Sequence, residues 1–154
     1  LALDGTSDSL SVGDNPSISG LPKISLGAWV KWTATAGTQT ILSKGAAPGE
    51  FLIQAIGGTQ LRVKLTDGTN TATVTATQAF AAGKWYHVFA TYNGVNQTGI
   101  TLYVNGFAVA SSISSTVAGT LANTGDALHT RHAEGLWLNL QDEPRLQLPR
   151  LRRD

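Results

Sequence analysis

The acidic residues of this sequence are few, and their spacing does not suit glycoside hydrolysis. That reaction needs two carboxyl groups on either side of one bond, and the 154-residue chain has only ten Asp and Glu residues. Successive side chains of a β-strand point to opposite faces, so the adjacent Asp142 and Glu143 could not act as a pair on a strand. No Glu-x-Asp-x-Glu arrangement occurs. We therefore predict no catalytic residues and no enzymatic activity.

Nucleophilic catalysis and zinc binding are also poorly supported. The chain lacks the Gly-x-Ser-x-Gly motif that exposes a nucleophilic serine in many hydrolases. It has no cysteine, which excludes disulfides and thiolate metal ligands. His129 and His132 are three residues apart, which places them on opposite faces of a strand. We predict structural or surface roles for these two residues, and a packed, hydrogen-bonded position for His87.

Charge and hydropathy exclude several classes of partner. Only 14% of the residues are charged and the formal net charge is +1, so no strong positive field favours nucleic acid. No apolar segment approaches the roughly 18 residues of a membrane span, and we predict no membrane insertion. Arginines crowd the end of the sequence, and we interpret residues 150–154 as a short basic tail in solvent.

Apolar and polar residues alternate through most of the chain, a pattern with a period of two that indicates half-buried β-strands. In the clearest segment one face carries Ile24, Leu26, Ala28, Val30 and Trp32, and the other carries Ser25, Trp29 and Lys31. Strands are predicted near 8–13, 24–33, 39–45, 51–56, 60–66, 71–77, 84–92, 100–105, 107–113, 126–132 and 136–148. Residues 111–125 are predicted to form a long connecting loop. One flat sheet of so many strands would leave long open edges, so we predict an all-β, two-sheet antiparallel β-sandwich.

Several blocks of this sequence resemble one known family. They are an Asp-Gly turn at residues 4–5, the strand-like segments 24–31 and 41–45, and the segments 83–94 and 102–106. In this order they are similar to the laminin-G-like jelly-roll domain of the concanavalin A-like lectin/glucanase superfamily. The resemblance implies a jelly-roll topology for the sandwich, and we assign residues 1–149 to a single domain of this type.

The resemblance also implies a structural calcium ion between the first and last strands. Asp4 and Asp142 match positions where members of the family hold this ion, and Ca²⁺ commonly takes carboxylate and loop-carbonyl oxygens. The alternative is that Asp4 makes an Asx-turn and Asp142 is a solvated strand residue. The sequence departs from the family pattern around Asp142.

A glycan-binding surface needs exposed aromatic rings and neighbouring polar groups. We predict Trp137, which follows a loop, and Trp29 as the aromatic residues. Gln54, Arg62 and Lys64 are their predicted polar partners, because they occupy outward-facing strand positions. For Trp29 the alternative is packing within the scaffold, since the family keeps a tryptophan there. Another tryptophan, at position 85, lies in a framework motif and is predicted to belong to the core.

Together these features favour a non-catalytic, extracellular, lectin-like module that binds a glycan or polysaccharide. The chain contains no methionine, so we expect a piece of a larger secreted or cell-surface protein of bacterial origin. The alternative is a structural or adhesive module that contacts neighbouring domains of the same protein without binding sugar. Both alternatives are compatible with the fold, because one fold hosts unrelated functions.

Overall fold

The computed structural model describes residues 9–45 and 49–130. Within them the chain forms eleven β-strands and two 3₁₀ turns, and none of the helical segments is long enough to cross a membrane. The strands are β1 (Leu10–Val12), β2 (Ile24–Lys31), β3 (Thr38–Lys44), β4 (Phe51–Ile56), β5 (Gln60–Thr66), β6 (Thr71–Thr77), β7 (Trp85–Tyr92), β8 (Ile100–Val104), β9 (Phe107–Ala108), β10 (Ser111–Ser114) and β11 (Leu128–Thr130). The 3₁₀ turns are Pro16–Ile18 and Gln97–Gly99.

The strands form two antiparallel sheets. The large sheet has the order β1-β11-β3-β4-β5-β6-β10, and the small sheet has the order β2-β7-β8-β9. Each sheet buries one face in a common hydrophobic core, which we call its inner face. The opposite side is its outer face. The predicted all-β, two-sheet antiparallel sandwich is therefore confirmed.

The core follows from the alternation in the sequence. In β2 the buried side chains are Ile24, Leu26, Ala28 and Val30, whereas Trp29 and Lys31 point outward. β5 and β6 repeat this pattern, with Leu61, Val63 and Val74 buried. Full burial of a side chain such as Val or Leu contributes about 1.5–3 kcal/mol. The inner faces therefore supply the main stabilisation and also determine which residues remain outside.

Glycine-containing turns fix the register of the hairpins. Gly57 and Gly58, with φ values of 56° and 65°, connect β4 to β5, and this register places Gln54 directly opposite Arg62. Two consecutive positive φ values are typical of the turns that match the twist of a hairpin. Both outward-facing residues therefore lie side by side on the large sheet.

Residues 107–114 differ from the sequence prediction in two respects. The predicted strand at 107–113 is two strands, β9 in the small sheet and β10 in the large sheet. The residues Ser111–Ser114 are therefore not part of a connecting loop, because they pair with β6. Alternation indicates which residues are strand-like but not where the chain passes from one sheet to the other. The predicted strand at 136–148 lies outside the described residues.

Candidate binding surfaces

Five rings lie together on the outer face of the small sheet. They are the side chains of Trp29, Trp85, His87, Phe89 and Tyr103, and we call this group the aromatic surface. Adjacent strands bring them together, since Trp29 of β2 pairs with His87 of β7, and Phe89 of β7 pairs with Tyr103 of β8. Trp29 is 44% exposed and Trp85 is 48% exposed. Exposed aromatic residues on one sheet face are a feature of interaction sites.

Four of the rings, all except that of Trp85, form a continuous row across three strands. The ring centroids of Trp29 and His87 are 5.1 Å apart, and those of His87 and Phe89 are 5.8 Å apart in a stacked arrangement. Phe89 then reaches Tyr103 at 6.1 Å. These separations lie in the range of favourable aromatic pairs. Neighbouring rings therefore restrict one another, which gives the surface a defined shape without a ligand.

A glycine allows the row to lie flat on β2. A Cβ atom at Gly27 would come within 2.3 Å of a carbon of the Phe89 ring, so this ring occupies the space of the missing side chain. At the other end the Lys31 ammonium lies 5.8 Å from the centre of the Trp85 ring, in a cation–π arrangement. The surface thus combines aromatic faces with a positive charge at its edge.

This surface corrects the sequence prediction for Trp85 and specifies the surroundings of His87. The prediction that Trp85 belongs to the core is wrong, because its position in β7 shares the outer face with His87 and the inner position is taken by Tyr86. His87 is packed as predicted, but between the outward-facing rings of Trp29 and Phe89. A framework motif contains outward as well as inward positions. The alternation of side chains along a strand puts residues 85, 87 and 89 on one face, and this signal could have assigned Trp85 to the outer face.

The outer face of the large sheet has a different chemistry. Gln54 of β4 lies opposite Arg62 of β5, and Arg62 lies opposite Thr75 of β6. One step along, Lys64 lies opposite Thr73. We call these five residues the cationic face. Its side chains are half-buried in the sheet, and the Gln54 amide donates a hydrogen bond to the Thr40 hydroxyl at 3.1 Å.

The predicted glycan-binding residues do not form one site. Trp29 lies on the outer face of the small sheet, whereas Gln54, Arg62 and Lys64 share the outer face of the large sheet. The hydrophobic core separates them, so one ligand could not contact both groups. Trp137 lies outside the described residues. The roles of all five residues in sugar binding stay predictions.

The predicted calcium ligands Asp4 and Asp142 also lie outside the described residues. In residues 9–45 and 49–130 no group of three or more acidic or histidine residues is placed to hold a metal. The structural calcium ion stays a prediction that rests on the resemblance.

A buried ion cluster lies where the two ends of the described chain meet β3 and β4. The Lys44 side chain is fully buried, and its ammonium lies 2.6 Å from an Asp14 carboxylate oxygen and 3.3 Å from a Glu50 oxygen. Glu50 also accepts hydrogen bonds from the Thr124 amide at 2.9 Å and from the Ser19 hydroxyl at 3.2 Å. We call these five residues the Lys44 cluster. It joins three separate segments of the chain, and we interpret it as structural.

Two carboxylates are held in their ionised form by their partners. Hydrogen bonds from the Lys44 ammonium and the Ser19 hydroxyl lower the pKa of Asp14. Burial alone would raise the pKa of Asp67, but backbone amides, with that of Asn70 the strongest, outweigh it and the pKa is lowered. Both carboxylates are therefore engaged in structural bonds within the sandwich.

The family to which the chain belongs is shown by a sequence comparison. A laminin G family model, described as the concanavalin A-like lectin/glucanases superfamily, matches residues 4–139. The chain therefore belongs to this superfamily, as the sequence resemblance predicted. No curated protein matches the chain.

Solved structures with the same fold share little sequence with it. Domains LG4-5 of the mouse laminin alpha1 chain have a TM-score of 0.65 at 17% identity, over 90% of this chain and 40% of theirs. The binding domain of botulinum neurotoxin DC in complex with SialylT has a TM-score of 0.56 at 17% identity, with coverages of 86% and 35%. A structure of botulinum neurotoxin type C, whose cell entry depends on interaction with two ganglioside molecules, has a TM-score of 0.52 at 18% identity. The match covers 86% of this chain and 35% of the neurotoxin chain. This chain spans at most two fifths of each, and the likeness shows the laminin-G-like fold alone.

Proposed function

We propose that this chain is a non-catalytic, extracellular glycan-binding module of a larger secreted or cell-surface protein, and that the aromatic surface is its sugar-binding site. The observation that supports this proposal is the row of rings from Trp29 to Tyr103 on a solvent-facing sheet. Membership of a lectin-containing superfamily agrees with it, as do the SialylT complex of one structural neighbour and the interaction of another with gangliosides.

The chemistry of the surface suits a neutral sugar. The C–H bonds on one face of a pyranose ring stack on the negative face of an aromatic ring, and Trp29 and Trp85 offer the largest exposed rings. Polar groups at the edge then orient the ligand. Ser25 and Thr91 are paired across β2 and β7 on this outer face, beyond the Phe89 ring, and supply hydroxyl groups there.

The absence of catalysis is part of the proposal. Acid–base cleavage of a glycosidic bond requires two carboxyl groups near the sugar. The described carboxylates are Asp14, Glu50, Asp67 and Asp126, which lie in loops or at strand ends, and none belongs to the aromatic surface. A sugar on this surface would therefore be bound and released unchanged.

Native affinity electrophoresis through neutral polysaccharides tests the proposal. We expect a neutral polysaccharide, within a panel of β-glucan, xyloglucan, galactomannan and dextran, to retard the protein. Trp29→Ala should weaken this binding at least tenfold, because loss of an aromatic anchor costs about 2 kcal/mol or more in binding free energy. Val95→Ala is the matched control, since Val95 is 65% exposed in the loop after β7.

The urea midpoint of Trp29→Ala shows whether the variant is folded. No retardation by any member of the panel, or equal retardation of Trp29→Ala and wild type, would contradict the proposal. A chelator should leave binding unchanged, because none of the five rings belongs to a metal-binding group within residues 9–45 and 49–130. If the wild-type protein binds no sugar, and Trp29→Ala binds a neighbouring domain more weakly than wild type does, the surface serves protein contact instead.

A further inference from the structure

The side of the sandwich formed by β9 and β10 exposes apolar residues at positions that face the core. Phe107 of β9 pairs with the buried Val104, and Ile113 of β10 pairs with the buried Val74. Residues directly opposite each other in an antiparallel pair share one face of the sheet, so Phe107 and Ile113 both have inward positions. They are nevertheless 77% and 40% exposed. We call residues 107–114, where the inner faces reach solvent, the open side.

Two sheet edges lie one above the other on the open side. β9 is the last strand of the small sheet, and β10 is the last strand of the large sheet. Only two residues separate Ala108, which ends β9, from Ser111, which begins β10. Three steps of extended chain span about 10–11 Å, which matches the distance of about 10 Å between packed sheets. Both edges therefore contribute to one surface.

The edge strand β10 lacks the usual protection against pairing with another chain. Natural edge strands are commonly blocked by a lysine, a proline or a bulge. Residues 85–125 contain no Asp, Glu, Lys, Arg or Pro, and β10 pairs with β6 in a regular register over four residues, all of them exposed. Among the described strands none lies on the other side of β10. Its outward N–H and C=O groups are therefore available to a further strand.

From these features we propose that the open side is a homodimer interface, in which β10 pairs antiparallel with β10 of a second copy of this chain. A two-fold axis at Ile113 places the isoleucines of the two copies opposite each other. It also places Ser112 of each copy opposite Ser114 of the other. The two seven-stranded sheets then become one continuous sheet, and the exposed Phe107 side chains are covered at the same contact.

A second copy suits the open side better than a foreign peptide does. A two-fold contact brings one patch against itself, so charged residues on the patch would meet like charges, and the open side has none. The side chains of β10 are three serines and one isoleucine. They are small enough for two edges to approach closely, and too uniform to supply the side-chain pockets that select a foreign strand.

The dimer would present both aromatic surfaces in the same direction. Antiparallel strands of one sheet are related by a two-fold axis normal to the sheet, so the outer faces of both small sheets lie on the same side of the assembly. A polymer that reaches both surfaces is held more tightly than by one, through effective concentration. The dimer itself does not rest on the proposed function, because none of the five rings belongs to the open side.

Sedimentation equilibrium of the protein without sugar tests the interface. We expect the wild-type protein to pass from monomer to dimer between about 5 and 500 µM, because a contact of this small size binds in the micromolar range. Ser112→Lys/Ser114→Lys should weaken the dimer at least about tenfold, since it places two pairs of like charges across the contact. Ser112→Glu/Ser114→Glu should do the same. A mixture of the two variants should form a mixed dimer within about threefold of the wild-type affinity, because each lysine then faces a glutamate.

The matched control adds the same charge outside the open side. Thr33 and Thr38 are exposed between the end of β2 and the start of β3, so Thr33→Lys/Thr38→Lys should weaken the dimer less than about threefold, through net charge alone. Trp29→Ala should dimerise like the wild-type protein. Sugar binding by the aromatic surface is measured separately, so either proposal can fail alone.

Four results would overturn the interface. They are a wild-type protein that stays monomeric throughout the concentration range, a Ser112→Lys/Ser114→Lys variant that dimerises as the wild type does, folded lysine and glutamate variants that do not associate with each other, and loss of the dimer in Trp29→Ala, which would assign the contact to the aromatic surface. The urea midpoint shows whether each variant is folded. If a β10 variant is unfolded, Phe107→Ser decides, because it changes a side chain that is 77% exposed, and an unweakened dimer of this variant overturns the proposal.

Discussion

Replacing Lys44 by methionine would remove a positive charge from a cluster that is almost closed to solvent. The Lys44 side chain is 0% exposed and that of Glu50 is 1% exposed, with 3.3 Å between ammonium and carboxylate. Methionine retains most of the apolar stem, so the main effect is an uncompensated buried carboxylate. Breaking a buried ion pair in this way costs about 3–5 kcal/mol. For a chain of this length that corresponds to a fall in Tm of about 10 °C.

Urea unfolding measures this loss in the free energy of unfolding, and an unchanged m-value shows that the variant still unfolds in two states. Lys84→Met is the matched control, because Lys84 is exposed, and it should change the free energy of unfolding by less than about 0.5 kcal/mol. Lys44→Met/Glu50→Gln should recover part of the loss, since the second change removes the unpaired charge. A loss below about 1 kcal/mol for Lys44→Met, or no recovery in the double variant, would refute the role given to the Lys44 cluster.

Two further predictions concern the glycine turns and the loss of stability at low pH. Gly94→Ala should lower the free energy of unfolding by about 2 kcal/mol more than Gly106→Ala. Both glycines have a positive φ, but only a Cβ at position 94 would meet a backbone oxygen, that of Pro22, at 2.2 Å. Thermal unfolding of the two variants measures the difference, and equal losses of stability would contradict the prediction. The pKa of Asp14 is lowered in the fold, so its contribution is present above its unfolded pKa of about 3.8 and is lost as pH falls through the lower folded value. Asp14→Asn should therefore flatten the loss of stability between about pH 5 and pH 2 in a series of urea titrations, and an unchanged slope would be the contrary result.

The inward and outward residues of most strands could be predicted from the sequence. The period of two correctly separates Ile24 and Val30, which are buried, from Trp29, which is exposed. The same rule assigns Arg62 and Lys64 to the outside of β5. Alternation succeeds because a strand with one buried face must repeat every two residues.

The arrangement of those faces could not be predicted in the same way. Alternation indicates that Trp29 and Arg62 both face solvent, but it does not say that they belong to different sheets. The Lys44 cluster was missed because lysine is rarely buried without a partner, and its partners Asp14 and Glu50 come from separate segments. A signal was present, since Lys44 lies two residues after the apolar Leu42. The β-bulge between Thr40 and Leu42 obscures it by burying adjacent residues.

The claim that the aromatic surface binds sugar is tested most directly by the indole N–H signals of the tryptophans. In a two-dimensional ¹H–¹⁵N NMR titration with the neutral polysaccharide that retards the protein, each tryptophan reports on its own surroundings. Trp32 is an internal reference, because it is 3% exposed in the core. We predict that the signals of Trp29 and Trp85 shift with added polysaccharide and that the signal of Trp32 does not. Binding that leaves both Trp29 and Trp85 unshifted would contradict the assignment of this surface.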